Sequence, residues 1–176
     1  MKTFRQYIEF IDDKSKLLEL KVLDKLNELG LEYFIYEHPP LRTVEESKAL
    51  RGEMHGGHTK NLFLRDKKKK NYLITVNENQ KIDLKFLESE LSSGRLSFGS
   101  PERLSQFLGV KPGAVSPLAL LNDKHNDVSF FIDHNLLSEN ILNFHPLVNH
   151  LTVSIKVTDF KYFLKSQNKF YNEIYF

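Results

Sequence analysis

The stretch HTKNLFLRDKKKKNYLITV, residues 58–76, carries two short runs of strand character. Leu62, Phe63 and Leu64 form the first, Tyr72 to Val76 the second, and Asp66 to Asn71 lie between them. Two strands over Lys60–Arg65 and Tyr72–Val76, closed as a hairpin, account for this pattern most economically. The connection holds four consecutive lysines, Lys67 to Lys70, which suit either a solvated tip or a contact with phosphates. Just upstream, Gly56-Gly57 allows a tight or left-handed backbone approach. Lys60 and Asn61 therefore stand at the mouth of a strand otherwise built for burial. An ammonium held beside an amide suits a phosphate or a carbonyl, although position alone also fits a solvated edge lysine.

On the N-terminal side, Leu17, Leu20, Leu23 and Leu26 recur at helical spacing, with Ser15 as the expected N-cap and Gly30 as the C′ residue. Leu31–Glu37 reads as a strand ended by His38-Pro39-Pro40. Thr43 and Glu46 form a capping box, which predicts a helix over Val44–Arg51. On the C-terminal side, Asp83 caps a helix through Leu91, Leu96–Phe98 is a short strand, and Ser100-Pro101-Glu102 starts a helix ended by Gly109. An irregular turn after Pro112-Gly113 leads into Val115–Leu121. Val128–Asp133 and Leu151–Lys156 are strands, and Thr158-Asp159 caps a helix to about Ser166. The chain after Lys165 reads as a loose tail, with Phe170–Phe176 open between an extra packed strand and an interaction edge. Phe107, Phe130 and Phe131 read as core. The expected fold is mixed α/β: one domain over residues 1–176, core about 15–166, with a curved, largely antiparallel, barrel-like sheet flanked by helices.

Composition narrows the chemistry. The 176 residues suffice for one domain with a sizeable core, and 25 basic against 23 acidic residues are too balanced to signal nucleic-acid binding in bulk. Without cysteine there is no disulfide framework, thiolate nucleophile or cysteine zinc site, which fits a reducing cytosol. Charges are scattered through MKTFRQYIEFIDDKSK, and nowhere does the chain offer the roughly 18 apolar residues of a membrane span, so a cytoplasmic protein is expected. No GxGxxG, GxxxxGK[ST] or GxSxG pattern occurs. His55, His58 and Glu53 lack the helical spacing of a zincin, so no metal is expected.

The segments HTKNLFLRDKKKKNYLITV, LSFGSPERLSQFLGVKPGAVSPLALLND and NFHPLVNHLTVSI resemble, in order and spacing, the YbaK and prolyl-tRNA editing-domain family. Within it the likeness is greatest to freestanding PrdX-type alanyl-tRNA(Pro) deacylases, over residues 17 to 165. The resemblance implies hydrolysis of the ester of a mischarged tRNA, in trans and without a cofactor. Such an ester is activated enough to need only positioned water and stabilisation of developing charge. The resemblance matches Lys60 to the family's essential lysine, gripping the terminal phosphate, and His145 to its histidine, which would bind the aminoacyl group or orient water. Asn61, Gly113, Ala114, Ser116, Pro146 and Asn149 are the implied substrate-binding residues. The implied partners are the acceptor end of tRNA(Pro) carrying a mismatched amino acid and, in addition, prolyl-tRNA synthetase. Alanine ranks first, cysteine second and other small amino acids third; a noncatalytic module that binds charged tRNA is the alternative of a different class. Lys48, Arg51, Lys67–Lys70 and Arg103 are candidate acceptor-stem contacts, none privileged by spacing.

Overall fold

A computed structural model describes residues 13–40, Glu45, Lys48 and 54–176, with side chains from Lys16 onward. The hairpin forms as its pattern predicts. β2 (Gly57–Arg65) pairs antiparallel with β3 (Asn71–Asn77), Lys60 opposite Val76 and Asn61 opposite Thr75. Its tip is shaped by Asp66, which accepts from Lys70 N at 2.9 Å and from the Tyr72 hydroxyl at 3.3 Å. Arg103 clamps the tip by donating to Lys69 O and to Asn71 Oδ1, both at 2.6 Å.

The other strands are β1 (Tyr33–Glu37), β4 (Ser97–Phe98), β5 (Val128–Asp133), β6 (Ile141–Phe144), β7 (Leu151–Lys156) and β8 (Tyr171–Ile174). They form one 8-stranded sheet in the order β1-β7-β6-β2-β3-β5-β8, with β4 beside β2. The β1–β7, β6–β7, β2–β3 and β2–β4 ladders are antiparallel; β2–β6, β3–β5 and β5–β8 are parallel. The expected mixed α/β architecture is therefore present, but the sheet is open between edges β1 and β8 and less antiparallel than expected. Parallel neighbours come from long crossovers, and local alternation carries no mark of them.

Alternation along the strands divides the core. Phe63, Leu73, Phe130, Phe144 and Val153 face α1 (Asp13–Glu28), α3 (Pro101–Leu108) and α4 (Val157–Ser166), joined by the 3₁₀ segment Pro117–Asn122. Leu64, Tyr72, Ile74 and Val76 face α2 (Leu84–Glu90) and Ile174. Phe131 packs against that second cluster, Phe130 is buried in the first, and Phe107 lies partly buried beneath Arg103.

Several boundaries differ from expectation. α1 already includes Asp13, so Ser15 lies inside it; α4 begins at Val157, which places Thr158 and Asp159 in its first turn instead of at its cap. Asp159 still suits the positive end of that helix. Apart from Glu45 and Lys48, both helical, the helix expected over Val44–Arg51 lies outside the described residues. β6 and the 3₁₀ segment His134–Ser138 were not expected. The tail is a strand: β8 pairs with β5, and Lys169, 9% exposed, donates to the Asp123 carbonyl and to Asn126 Oδ1.

Candidate active site

On one side β2 runs against β3 throughout. On the other it meets β6 at Gly57–His58 and β4 at Leu64–Arg65. Between those ladders no strand lies beside residues 59–62 on that side among the described residues. Gly99 N donates to Phe63 O across this side, and antiparallel alternation turns the Asn61 backbone N–H and C=O the same way, into the gap. The gap opens on a polar cleft of about 40 Å³, walled by Thr59 and Asn61 from β2, Glu78 after β3, Asn143 from β6, His145, and Thr152 from β7.

Each wall is held by its own bonds. Gly56 makes the approach of β2 to β6 possible: its φ is +97°, and a Cβ there would stand 2.6 Å from Ile141 O. Asn143 Nδ2 donates to His55 O at 2.9 Å, and Thr59 Oγ1 to Asn143 O at 2.9 Å. Thr75 Oγ1 donates to Asn61 Oδ1 at 2.7 Å, which leaves the two Nδ2 hydrogens on the other side of that amide.

His145 Nδ1 donates to Leu151 O at 2.7 Å; because a carbonyl only accepts, this nitrogen carries the proton and Nε2 the lone pair. Burial pulls the His145 pKa down to about 4, opposed by the Leu151 carbonyl and helped by His38 and His150. At neutral pH the ring is thus a neutral acceptor. His38 lies beneath it, ring centroids 5.7 Å apart, donating from Nδ1 to Pro39 O and accepting at Nε2 from Thr152 Oγ1, each at 2.9 Å. Burial lowers its pKa as well, so the two adjacent rings remain uncharged together. His150, next along, meets Glu19 Oε2 at 3.1 Å.

The implied site residues fall in separate places. Asn61 and His145 share the cleft. Lys60 projects on the opposite face of β2, over Val76, where burial lowers its pKa and Glu45 and Glu78 act to raise it. Gly113, Ala114 and Asn149 line a second concavity of about 570 Å³, across the wall formed by residues 145–150. Pro146 is buried in that wall, beside Leu147 at φ +65°. Ser116 is fully buried and accepts from Leu118 N at 3.2 Å, capping the 3₁₀ segment. Among the described residues no group of three His, Cys, Asp or Glu is placed to hold a metal ion. His38, Glu78, Asn143 and Thr152 were not singled out from sequence. Their one local trace is period two, which sets Thr59 beside Asn61 on β2 and Thr152 beside Ser154 on β7.

The model of the aminoacyl-tRNA editing domain matches residues 38–163. The chain belongs to the aminoacyl-tRNA editing-domain family. It is 38% identical over 154 residues to the "Prolyl-tRNA editing protein ProX" of Acetoanaerobium sticklandii, covering 87% of this chain and 94% of that one. It is 36% identical to the mouse prolyl-tRNA synthetase associated domain-containing protein 1, covering 85% and 90%. A solved structure described as a candidate trans-editing enzyme for prolyl tRNA synthetase superposes with a TM-score of 0.66 at 19% identity, over 93% of this chain and 97% of that chain, a likeness of fold. Every element that walls the cleft after Glu37 falls inside the matched residues.

Proposed function

We propose that this protein is a trans-editing aminoacyl-tRNA deacylase, hydrolysing the ester of mischarged tRNA(Pro), with Ala-tRNA(Pro) as its substrate. The observation that carries the reading is the cleft in which the Asn61 amide donors and a neutral His145 converge in an editing-domain chain. His145 Nε2 accepts a hydrogen bond from the attacking water and orients it on the ester carbonyl. The Nδ2 and backbone N–H groups of Asn61 stabilise the oxyanion that develops there. Lys60, across β2, grips the terminal phosphate as a point charge. Ser116 and Pro146 support the site from beneath, while Gly113, Ala114 and Asn149 offer the acceptor end a second, larger concavity. Prolyl-tRNA synthetase, the source of mischarged tRNA(Pro), is the proposed partner and the cytoplasm the proposed setting; no described helix is long and apolar enough to cross a membrane.

The substrate proposed first is the alanyl ester, ahead of the cysteinyl ester and those of other small amino acids. Proline and larger side chains are excluded sterically, whereas alanine and cysteine differ by only about 1–3 kcal/mol of contact. The test mixes purified protein with alanyl-tRNA(Pro) or cysteinyl-tRNA(Pro) and follows amino-acid release. Wild type is expected to favour alanine, and Lys60→Ala to lose hydrolysis with its circular dichroism unchanged. Equal, slow release by wild type and Lys60→Ala would end the catalytic reading and leave a binding module.

A further inference from the structure

Both threonine hydroxyls that line the cleft use their one proton on a fixed partner. Thr59 Oγ1 donates to Asn143 O and Thr152 Oγ1 to His38 Nε2, each at 2.9 Å. The second assignment is forced. His38 Nδ1 stands 2.9 Å from Pro39 O, which can only accept, so Nδ1 carries the proton and Nε2 the lone pair. The Thr152 hydroxyl must then be the donor, and its oxygen keeps only acceptor capacity for anything else it meets. His38 is buried, and burial disfavours its charged form, so the assignment holds at neutral pH. Register brings Thr152 to His145. Phe144 pairs with Val153, which carries His145 on toward Thr152, and His145 Nδ1 is anchored on the carbonyl of the preceding Leu151. Two neutral acceptors, His145 Nε2 and Thr152 Oγ1, thus belong to one wall of the cleft.

A water that attacks an ester must turn a lone pair to the carbonyl carbon, which leaves both of its protons to be held elsewhere. One acceptor lets the molecule swing about a single hydrogen bond; two acceptors fix its orientation. We propose that Thr152 Oγ1 accepts from the second proton of the attacking water, the first being held by His145 Nε2, and that His38 is the positioning residue that keeps the Thr152 hydroxyl an acceptor. This rests on the deacylase reading above. In the step itself the water oxygen bonds to the carbonyl carbon, and the bond to the ribose oxygen breaks with its electron pair. One water proton passes to that ribose oxygen; the other leaves on the carboxyl group, which releases it to solvent. Thr152 and His38 keep their own protons throughout. Because the contact aims the nucleophile, its loss falls on kcat and not on KM.

The experiment measures kcat and KM on alanyl-tRNA(Pro) for wild type, Thr152→Val, Thr152→Ser, His38→Phe and the double variant of His38→Phe with Thr152→Val. Thr152→Val keeps the shape and removes the acceptor, so kcat should fall about 10-fold, the size of one neutral hydrogen bond, with KM within about twofold of wild type. Thr152→Ser restores the hydroxyl and should recover most of that loss. His38→Phe frees the Thr152 hydroxyl to turn its proton into the cleft, so kcat should fall as well. Added to Thr152→Val it should cost nothing more, because His38 acts through that hydroxyl. Wild-type kcat in Thr152→Val overturns the proposal, as does an effect confined to KM, or an equal loss in Thr152→Ser, the mark of a role in packing alone. Additive losses in the double variant overturn the role of His38. Should His38→Phe not fold, His38→Gln takes its place with the opposite expectation: its amide can donate to Pro39 O and accept from Thr152, and a kcat as low as that of Thr152→Val overturns that role. If wild type releases no alanine, it is the deacylase reading that fails, and this inference with it.

Discussion

His145 holds its Nδ1 proton on the Leu151 carbonyl, in a setting that makes a second proton unfavourable. Its pKa of about 4 has two consequences that a solvated histidine would not show. In an NMR titration its imidazole resonances should move near pH 4 and stay still around pH 6.5. Above pH 6.5 neither the folded nor the unfolded state protonates the ring; below it the unfolded chain gains a proton that the folded chain refuses. Stability at neutral pH should therefore fall as pH drops from 6.5 to about 4, by up to about 3 kcal/mol from this residue, as read by urea unfolding. His145→Gln should flatten that segment of the profile. The histidine itself stands out in the sequence because it sits in FHPLVN beside a proline. Its tautomer does not, since the Leu151 carbonyl reaches it only when β6 and β7 lie antiparallel.

Among the elements, the hairpin β2–β3 shows why a strand can be legible while its surroundings are not. Leu62 to Leu64 and Tyr72 to Val76 declare two adjacent strands, because their pairing is local and burial on both faces selects apolar residues. That β2 is flanked by β6 at one end and β4 at the other depends on segments far along the chain. Gly56 is the point where the two levels meet. Gly56→Ala would force a left-handed φ on an L residue and drive its Cβ against Ile141 O, so β2 and β6 would have to separate. The expected loss is about 2–4 kcal/mol in urea unfolding, together with reduced alanyl-tRNA(Pro) hydrolysis. The four lysines of the tip remain exposed, while Arg103 donates to the tip at Lys69 O and Asn71 Oδ1.

For the molecule as a whole, the C-terminal strand decides between the two readings that the sequence left open for the tail, in favour of an extra packed strand. Its exposed aromatics, Phe170 at 82% and Tyr175 at 62%, make the tail resemble a loose end. Yet Ile174 is buried in the second core cluster, Lys169 ties back to the loop before β5, and Tyr171–Ile174 covers the edge that β5 would otherwise present. A chain ended at Ser166 should lose at least about 3 kcal/mol of stability, from buried apolar surface and the broken Lys169–Asp123 contact. Its soluble yield should fall through pairing at the uncovered β5 edge. An undiminished urea midpoint would show β8 to be dispensable.

The amino-acid sequence alone established most helices and strands to within a few residues, the hairpin, and the segments that carry the family resemblance. All of these depend on periodicity, caps and turn residues within a short stretch of chain. Only the tertiary structure decided which residues share the cleft. It joined Asn61 to His145, added Glu78, Asn143 and Thr152, packed His38 against the His145 ring, set Lys60 on the opposite face, and put Gly113, Ala114 and Asn149 across a wall. The physical reason is that a site at a split in a sheet is made by strands paired over long separations. The side a residue presents there follows from register and strand order, which no local pattern encodes.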